Sequence, residues 1–84
     1  MSYSVEVRKS AQKSLARISP PYQQRILEAI RQLGDAPRPQ GAKKLTGREA
    51  WRIRIGAYRV IYEIHDDRLL VLVVVVGHRG DISR

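Results

Sequence analysis

The stretch WRIRIGAYRVIYEI, residues 51–64, decides the fold of this chain. Apolar and polar side chains alternate on either side of Gly56-Ala57, and a period of two is the pattern of β-strands that bury one face. Because a glycine-containing pair separates the two runs, we predict that they form an antiparallel hairpin. The first strand then turns Trp51, Ile53 and Ile55 to one side and Arg52 and Arg54 to the other.

The remaining strand patterns lie near the two ends of the sequence. Residues 3–7 (YSVEV) alternate and predict a short first strand. Residues 69–76 (LLVLVVVV) are apolar at every position, which predicts an interior strand covered on both faces. The polar segment at residues 65–68 (HDDR) predicts the turn between this strand and the hairpin. Together these patterns predict an antiparallel sheet of three to four strands.

Two amphipathic helices are predicted between the first strand and the hairpin. Apolar residues at helical spacing predict a helix over about residues 9–18. Ser19-Pro20 is typical of the start of a second helix, and Gly34 is placed to end it. We therefore predict an α+β fold in which residues 1–84 form a single domain and a two-helix hairpin packs on the sheet. The apolar stripe of the second helix consists of Tyr22, Ile26, Ala29, Ile30 and Leu33.

Composition excludes several classes of protein. The chain has no cysteine, which excludes disulfides, thiolate zinc sites and cysteine nucleophiles. Its 8 carboxylates and 2 histidines lack metal-ligand spacing, so we expect no metal and no cofactor. The longest apolar run, residues 69–76, is far shorter than the roughly 20 residues of a membrane helix, and the first residues lack a basic and apolar leader. We therefore expect a cytoplasmic protein without a membrane partner.

The charge of the chain is strongly positive and unevenly placed. The net charge is +8, from 16 Lys and Arg against 8 Asp and Glu, and 12 of the bases are arginine. Arginine carries a planar, permanently charged fork that suits phosphate. Between residues 38 and 59 there are 7 bases and 1 acid, which is the electrostatic pattern of a protein with a polyanion partner. The alternative interpretation is a solvated charged face without a ligand.

The candidate site is a group of arginines on the predicted sheet. Arg52 and Arg54 share a strand face about 7 Å apart, close to the spacing of consecutive phosphates in a nucleic acid strand. Arg59 falls on the same face if the two strands pair, and Arg79 leaves the neighbouring strand close by. Such a cluster repels itself unless an anion is bound. In the alternative, the face is only solvated, and Arg59 and Arg79 are structural residues that pair with Glu63 or Asp81.

The two histidines are weaker candidates. His78 precedes Arg79 and titrates near neutrality, so it is a candidate acid or base at the mouth of the basic face. His65 lies beside two aspartates and is interpreted as a turn residue. By parity, Trp51 and Tyr62 point away from the arginines and are assigned to the core.

Three segments in order carry a family resemblance: residues 43–47 (KKLTG), residues 51–64 and residues 76–82 (VGHRGDI). As an ordered set that follows a helical hairpin, they resemble the RelE/ParE superfamily of type II toxins. The resemblance implies a small α+β fold with an amino-terminal strand, two helices and a three-stranded antiparallel sheet. It also implies a cognate antitoxin that blocks the basic face, and it allows a heterotetramer of toxin and antitoxin.

The resemblance further implies an activity. In the RelE branch, the ribosome presents messenger RNA (mRNA), and a ribose 2′-hydroxyl attacks the adjacent phosphate without the help of a metal. The ribosome and mRNA are therefore implied partners. By position, Arg52, Arg54, Arg59 and Arg79 match the catalytic arginines and other basic residues that hold the backbone, while Lys43, Lys44 and Arg48 are implied to add RNA contacts.

One departure from the family pattern affects this expectation. Ser83 stands where the family usually has a tyrosine that stacks on the substrate or helps as a base. Because arginine stays protonated, the site lacks a base unless His78 or the ribosome supplies one. Reduced or altered cleavage is therefore expected. The alternatives are a ParE-like inhibitor of DNA gyrase and a catalytically weakened, toxin-like binding module.

Overall fold

Two helices lie against one face of a five-stranded sheet in the computed structural model, which describes residues 2–78. The predicted α+β class is confirmed. The strand order is β1-β5-β4-β3-β2, so that β4 is central. In chain order the elements are β1 (Ser4–Val7), α1 (Lys9–Ala16), α2 (Pro20–Gln32), β2 (Lys43–Lys44), β3 (Trp51–Ile55), β4 (Tyr58–His65), a 3₁₀ turn (Asp66–Arg68) and β5 (Leu70–His78).

The sheet has one strand more than predicted, and it is mixed. Strands β2 to β5 pair antiparallel, whereas β1 pairs parallel with β5. The additional strand β2 consists of Lys43 and Lys44 alone, and two residues are too few to show an alternation in the sequence. The parallel pairing joins β1 and β5, which lie near the two ends of the described chain. No local sequence pattern predicts a pairing between segments so far apart.

The core fills the space between the helices and one sheet face, here called the covered face. On the sheet, Val60, Tyr62 and Val73 are 0% exposed, and Ile26 of α2 is 0% exposed against them. The Tyr62 hydroxyl donates a hydrogen bond of 2.7 Å to the Pro37 carbonyl oxygen. Burial raises the pKa of Tyr62 to about 12. The predicted core position of Tyr62 is therefore confirmed, and its polar end is satisfied.

The ends of the helices differ slightly from the prediction. Helix α1 ends at Ala16, two residues early, although Ile18 is still buried. Helix α2 ends at Gln32, and Gly34 is not in the left-handed region. A Cβ at Gly34 would lie 3.0 Å from the Tyr3 carbonyl oxygen. Close approach of the helix end to the first strand, rather than a left-handed cap, therefore favours glycine there.

A β-bulge interrupts the pairing of β4 with β5. Ile61 pairs with Val75 but Tyr62 pairs with Val73, which leaves Val74 as the extra residue. The bulge reverses the alternation of β5 beyond this point. Strand β5 is an interior strand as predicted, but it is not fully covered on both faces, because Leu72 and Val75 stay partly exposed on the face without helices. Within residues 2–78, neither helix has the length and apolar character to cross a membrane.

Candidate functional site

Three arginines lie together on the sheet face that the helices leave uncovered, here called the open face. Arg54 of β3 is directly opposite Arg59 of β4, and Arg52 is opposite Ile61. Directly opposed residues have Cβ atoms about 4.5–5.5 Å apart, and residues two apart on one strand are about 7 Å apart. The predicted juxtaposition of Arg52, Arg54 and Arg59 is therefore present in the fold. These three residues are called the arginine cluster below.

Within residues 2–78, no carboxylate forms an ion pair with the arginine cluster. Glu63 lies on the same face, but its carboxylate is 2.9 Å from His65 Nε2. The buried Nε atoms of Arg52 and Arg59 have no hydrogen-bond partner among residues 2–78. A buried donor without an acceptor costs about 1–3 kcal/mol. The alternative in which Glu63 neutralises Arg59 is therefore not seen.

The electrostatics of the cluster favour an anion. Burial lowers the pKa of Arg52, and the charges of Arg54 and Arg59 lower it further. The charged form of Arg52 is thus less stable in the fold than in water. A bound anion would offset the repulsion, because it supplies an opposite charge and hydrogen-bond acceptors for the guanidinium groups. The arrangement is suited to bind a phosphate.

The surface beside the cluster is apolar. Ala50, Ile61 and Val74 are buried there, and Ile61 is the direct neighbour of Arg52. Gly77 is opposite Arg59 on β5 and contributes no side chain beside it. A platform of low polarity strengthens the attraction between the arginines and an anion that excludes water from it.

The residues predicted to contact RNA separate into two groups. Lys43 is opposite Arg52 and extends the positive charge of the open face. Lys44 is opposite Trp51, and its Nζ lies 3.3 Å from Glu49. Arg48 is exposed in the loop between β2 and β3. The geometry thus brings Lys43 to the arginine cluster and turns Lys44 away from it.

The carboxy-terminal part of the predicted site is placed only as far as His78. The His78 ring lies 5.6 Å from the Tyr58 ring, between centroids, and these two residues are opposite one another on the side of the helices. His78 is therefore not on the face of the arginine cluster, because the bulge at Val74 reverses the alternation. Arg79 and Ser83 lie outside the described residues.

Two further residues behave differently from the sequence prediction. Arg38, one of the clustered bases of the sequence, is a structural residue: its Nη2 lies 2.9 Å from Asp66 Oδ2, and its guanidinium lies 5.3 Å from the centre of the Trp51 ring. Tyr22, predicted within the apolar stripe of α2, is 38% exposed and lies against Gly56. Tyr22 lies in the first turn of the helix, at the end of the apolar stripe, and this position is the feature of the sequence that indicates its exposure.

Metal ligation finds no support in the geometry. No three His, Asp or Glu side chains of residues 2–78 come close enough together to hold a metal ion.

Comparison with known proteins identifies the family. A model described as the ParE toxin of the type II toxin-antitoxin system, parDE, matches residues 5–82. Toxin RelG of Mycobacterium tuberculosis is 34% identical over 90 aligned positions, which cover 100% of this chain and 99% of that protein.

Solved structures with the same fold include two toxin–antitoxin complexes. The match to the RelBE2 complex from Mycobacterium tuberculosis has a TM-score of 0.82 at 27% identity and covers 94% of this chain and 100% of that one. The match to the archaeal RelE–RelB complex from Pyrococcus horikoshii has a TM-score of 0.81 at 28% identity and covers 95% and 98%. The extent of the family match and the full-length relative together show that this chain belongs to the RelE/ParE superfamily of type II toxins.

Proposed function

We propose that this toxin is a metal-independent endoribonuclease that cuts mRNA on the ribosome and so inhibits translation in the cytoplasm. The observation that carries the proposal is the arginine cluster, whose guanidinium groups form no ion pair with a carboxylate of residues 2–78. A positively charged surface with unused donors matches the backbone of a single RNA strand. Lys43 extends that surface in the direction of β2.

The proposed reaction needs fixed cations more than any other group. The ribose 2′-hydroxyl loses its proton and attacks the adjacent phosphorus, the bond from phosphorus to the 5′-oxygen breaks, and that oxygen takes up a proton. The products are a 2′,3′-cyclic phosphate and a 5′-hydroxyl. Negative charge builds on the phosphoryl oxygens, where Arg54 and Arg59 would stabilise it. A preorganised donor at such a position is worth about 10²–10³-fold in rate.

The roles of the carboxy-terminal residues follow from the resemblance. Arg79 completes the catalytic arginines in this proposal, and Ser83 replaces the tyrosine of the family pattern. Because His78 lies on the side of the helices, the proton acceptor in this proposal is a group of the ribosome, and cleavage is slower than in relatives that keep the tyrosine. Restoring a tyrosine with Ser83→Tyr is expected to accelerate cleavage, and an unchanged rate would contradict this role of position 83.

An antitoxin is the proposed protein partner. The two solved relatives described above are complexes of a toxin with RelB-type antitoxins. In this chain the open face combines the arginine cluster with partly exposed apolar residues such as Leu72 and Val75. An antitoxin segment with acidic and apolar side chains would cover both features and block RNA. Two toxins and two antitoxins in a heterotetramer remain a prediction of the resemblance.

The test compares two arginine variants of equal charge. Purified protein is added to ribosomes programmed with mRNA, and cut positions are mapped by primer extension. Arg59→Ala is expected to slow cleavage about 10²–10³-fold. Arg31→Ala is the matched control, because its side chain is 77% exposed on α2 and contacts only Glu28 among the ion pairs of residues 2–78. Equal rates for the two variants would contradict the proposal.

Gyrase inhibition is the second candidate function. The matching family model is that of the ParE toxin, and Ser83 removes a residue that RNA cleavage would use. A gyrase supercoiling assay beside the ribosome assay separates the two. Inhibited supercoiling with intact transcripts would select the gyrase function. A chain that binds ribosomes or RNA but does neither would be a weakened binding module.

A further inference from the structure

We propose that a cleft at the end of the sheet, between Tyr58, His78 and Arg17, binds a nucleobase of the RNA whose backbone lies on the arginine cluster. This inference rests on the proposed RNA substrate. It gives His78 a role in stacking rather than in proton transfer. The cleft has a volume of about 350 Å³ and lies between the end of α1 and the end of β5.

The walls of the cleft match the chemistry of a nucleobase. Tyr58 and His78 line the cleft from the sheet, and Ser14 of α1 and Arg17, the residue that follows α1, line it from the helix side. A base has apolar faces and polar edges, so it needs both a ring to stack on and hydrogen-bonding groups at its rim. The Arg17 guanidinium supplies donors, and the Ser14 hydroxyl, which donates to the Ser10 carbonyl oxygen at 3.2 Å, can still accept a hydrogen bond. Among residues 2–78, no acidic side chain lines the cleft.

The two rings are arranged so that they can accept a stacked base. Tyr58 and His78 meet edge to face, with ring planes at 82°. In such a pair one ring engages only its edge, which leaves its faces for another partner. His78 is exposed at the end of β5, and Tyr58 is held from the other side by Tyr22, whose ring centroid is 5.4 Å away. The Tyr58 ring is therefore fixed by packing, while the His78 ring faces the cleft and solvent.

The cleft is adjacent to the arginine cluster along the strands. Arg59 is opposite Gly77, and the next pair along the same two strands is Tyr58 and His78. Consecutive pairs are about 3.3 Å apart and face opposite sides of the sheet. The Gly56-Ala57 turn that ends the sheet beside them has almost no side-chain bulk and is exposed. An RNA strand held at Arg59 can therefore pass around this end and place a neighbouring base in the cleft.

The experiment separates stacking from proton transfer at His78. His78→Ala removes the ring, whereas His78→Phe keeps an aromatic face and removes the ionisable nitrogens. Cleavage of ribosome-bound mRNA is measured for both variants as kcat and KM. If the cleft binds a base, His78→Ala raises KM about 5- to 100-fold and His78→Phe stays close to the wild-type protein. If both variants lose kcat to the same extent, His78 is an acid or base and the inference is wrong.

Abasic RNA provides the matched control. The same variants are tested on mRNA that lacks the base at one position flanking the cut, one position at a time. At the position read by the cleft, the effect of His78→Ala should disappear, because the ring has no base to contact. An effect of equal size at every abasic position would assign His78 to folding or chemistry and overturn the inference.

A binding measurement keeps the inference testable if the protein cuts nothing. Fluorescence anisotropy of a short single-stranded RNA, intact or abasic, is recorded with the wild-type protein, His78→Ala and Arg59→Ala. The inference is supported if Arg59→Ala weakens binding of both RNAs and His78→Ala weakens binding of the intact RNA only. This result would support base binding in the cleft even if the protein cleaves no RNA. Identical binding of intact RNA by the wild-type protein and His78→Ala contradicts it.

Discussion

The covered face and the open face of the same sheet use neighbouring residues in opposite ways. On the covered face, Val60 and Tyr62 are 0% exposed, and the Tyr62 hydroxyl donates to the Pro37 carbonyl oxygen. One residue before Val60, on the open face, the buried Nε of Arg59 has no hydrogen-bond partner among residues 2–78. On the covered face, apolar side chains are buried and the buried hydroxyl is hydrogen-bonded, so these residues stabilise the fold. On the open face, the arginines repel one another, and a bound anion would relieve that repulsion. Because successive residues of a strand point to opposite faces, the residues that stabilise the fold and those proposed to bind a ligand alternate along β4.

The arginines themselves repeat this contrast. Arg38 is hydrogen-bonded to Asp66 and stacked on Trp51, so both its charge and its plane are used within the fold. Arg52 and Arg59 have neither kind of partner among residues 2–78. Arginines in the same basic segment of the sequence therefore differ in the structure: Arg38 is paired within the fold, whereas Arg52 and Arg59 are the residues proposed to bind a ligand.

Val60→Asp is expected to have the largest effect, because it places a charge on the covered face. A buried carboxylate without a partner costs about 4 kcal/mol or more, which approaches the whole stability of a small domain. Thermal unfolding followed by circular dichroism should show loss of the cooperative transition. The adjacent variant Arg59→Ala should keep it. A folded Val60→Asp protein would break the comparison between the faces.

The sequence predicts the contrast between the two faces, because the side-chain alternation along a strand depends only on neighbouring residues. The period of two in residues 51–64 is sufficient to place Arg52, Arg54 and Arg59 on one face and Tyr62 on the other, and the register confirms that placement. The same rule fails for His78. The bulge at Val74 adds one residue, and an apolar run of valines shows no alternation from which a bulge could be detected.

The ion-pair partners of the charged residues cannot be predicted from the sequence. The acceptor of Arg38 is Asp66, 28 residues away in the sequence, and the link depends on how the loop after α2 folds back. Glu63 pairs with His65 on its own strand instead of with Arg59. Ion pairs depend on side-chain geometry across elements, so the sequence predicts where charge accumulates but not which charges are neutralised.

Tyr62→Phe tests whether polar groups of the covered face are satisfied. The variant keeps the ring but leaves the Pro37 carbonyl oxygen without its donor. We expect the free energy of unfolding to fall by about 1–2 kcal/mol, measured in urea. Tyr22→Phe is the control, since that ring is 38% exposed and loses little. Equal effects of the two substitutions would show that the Tyr62 hydrogen bond contributes nothing specific.

Arg52→Met should act in the opposite direction. It removes a charge that repels Arg54 and Arg59 and a buried Nε that has no acceptor among residues 2–78, while methionine retains an unbranched apolar stem. We expect the free energy of unfolding to rise by about 1 kcal/mol. Added sulfate should stabilise the wild-type protein more than the variant, so that the difference in their free energies of unfolding becomes smaller. Arg31→Met, on exposed helix surface, serves as control. A destabilised Arg52→Met protein would place Arg52 with the structural arginines.

The smallest effect is expected at the ion pair that distinguishes Arg38 from the arginine cluster. Hydrogen bonds from Arg38 and then from Tyr3 lower the pKa of Asp66 below its ordinary value. A carboxyl whose pKa is lower in the folded state stabilises the fold above its ordinary pKa, and this contribution is lost as the pH falls through the folded pKa, below about pH 4. Between pH 6 and pH 2, the wild-type protein should therefore lose more stability than Asp66→Asn, which has no proton to gain. Parallel pH profiles for the two proteins would mean that Arg38 is no better paired in solution than Arg52, and the contrast between the two kinds of arginine would fail.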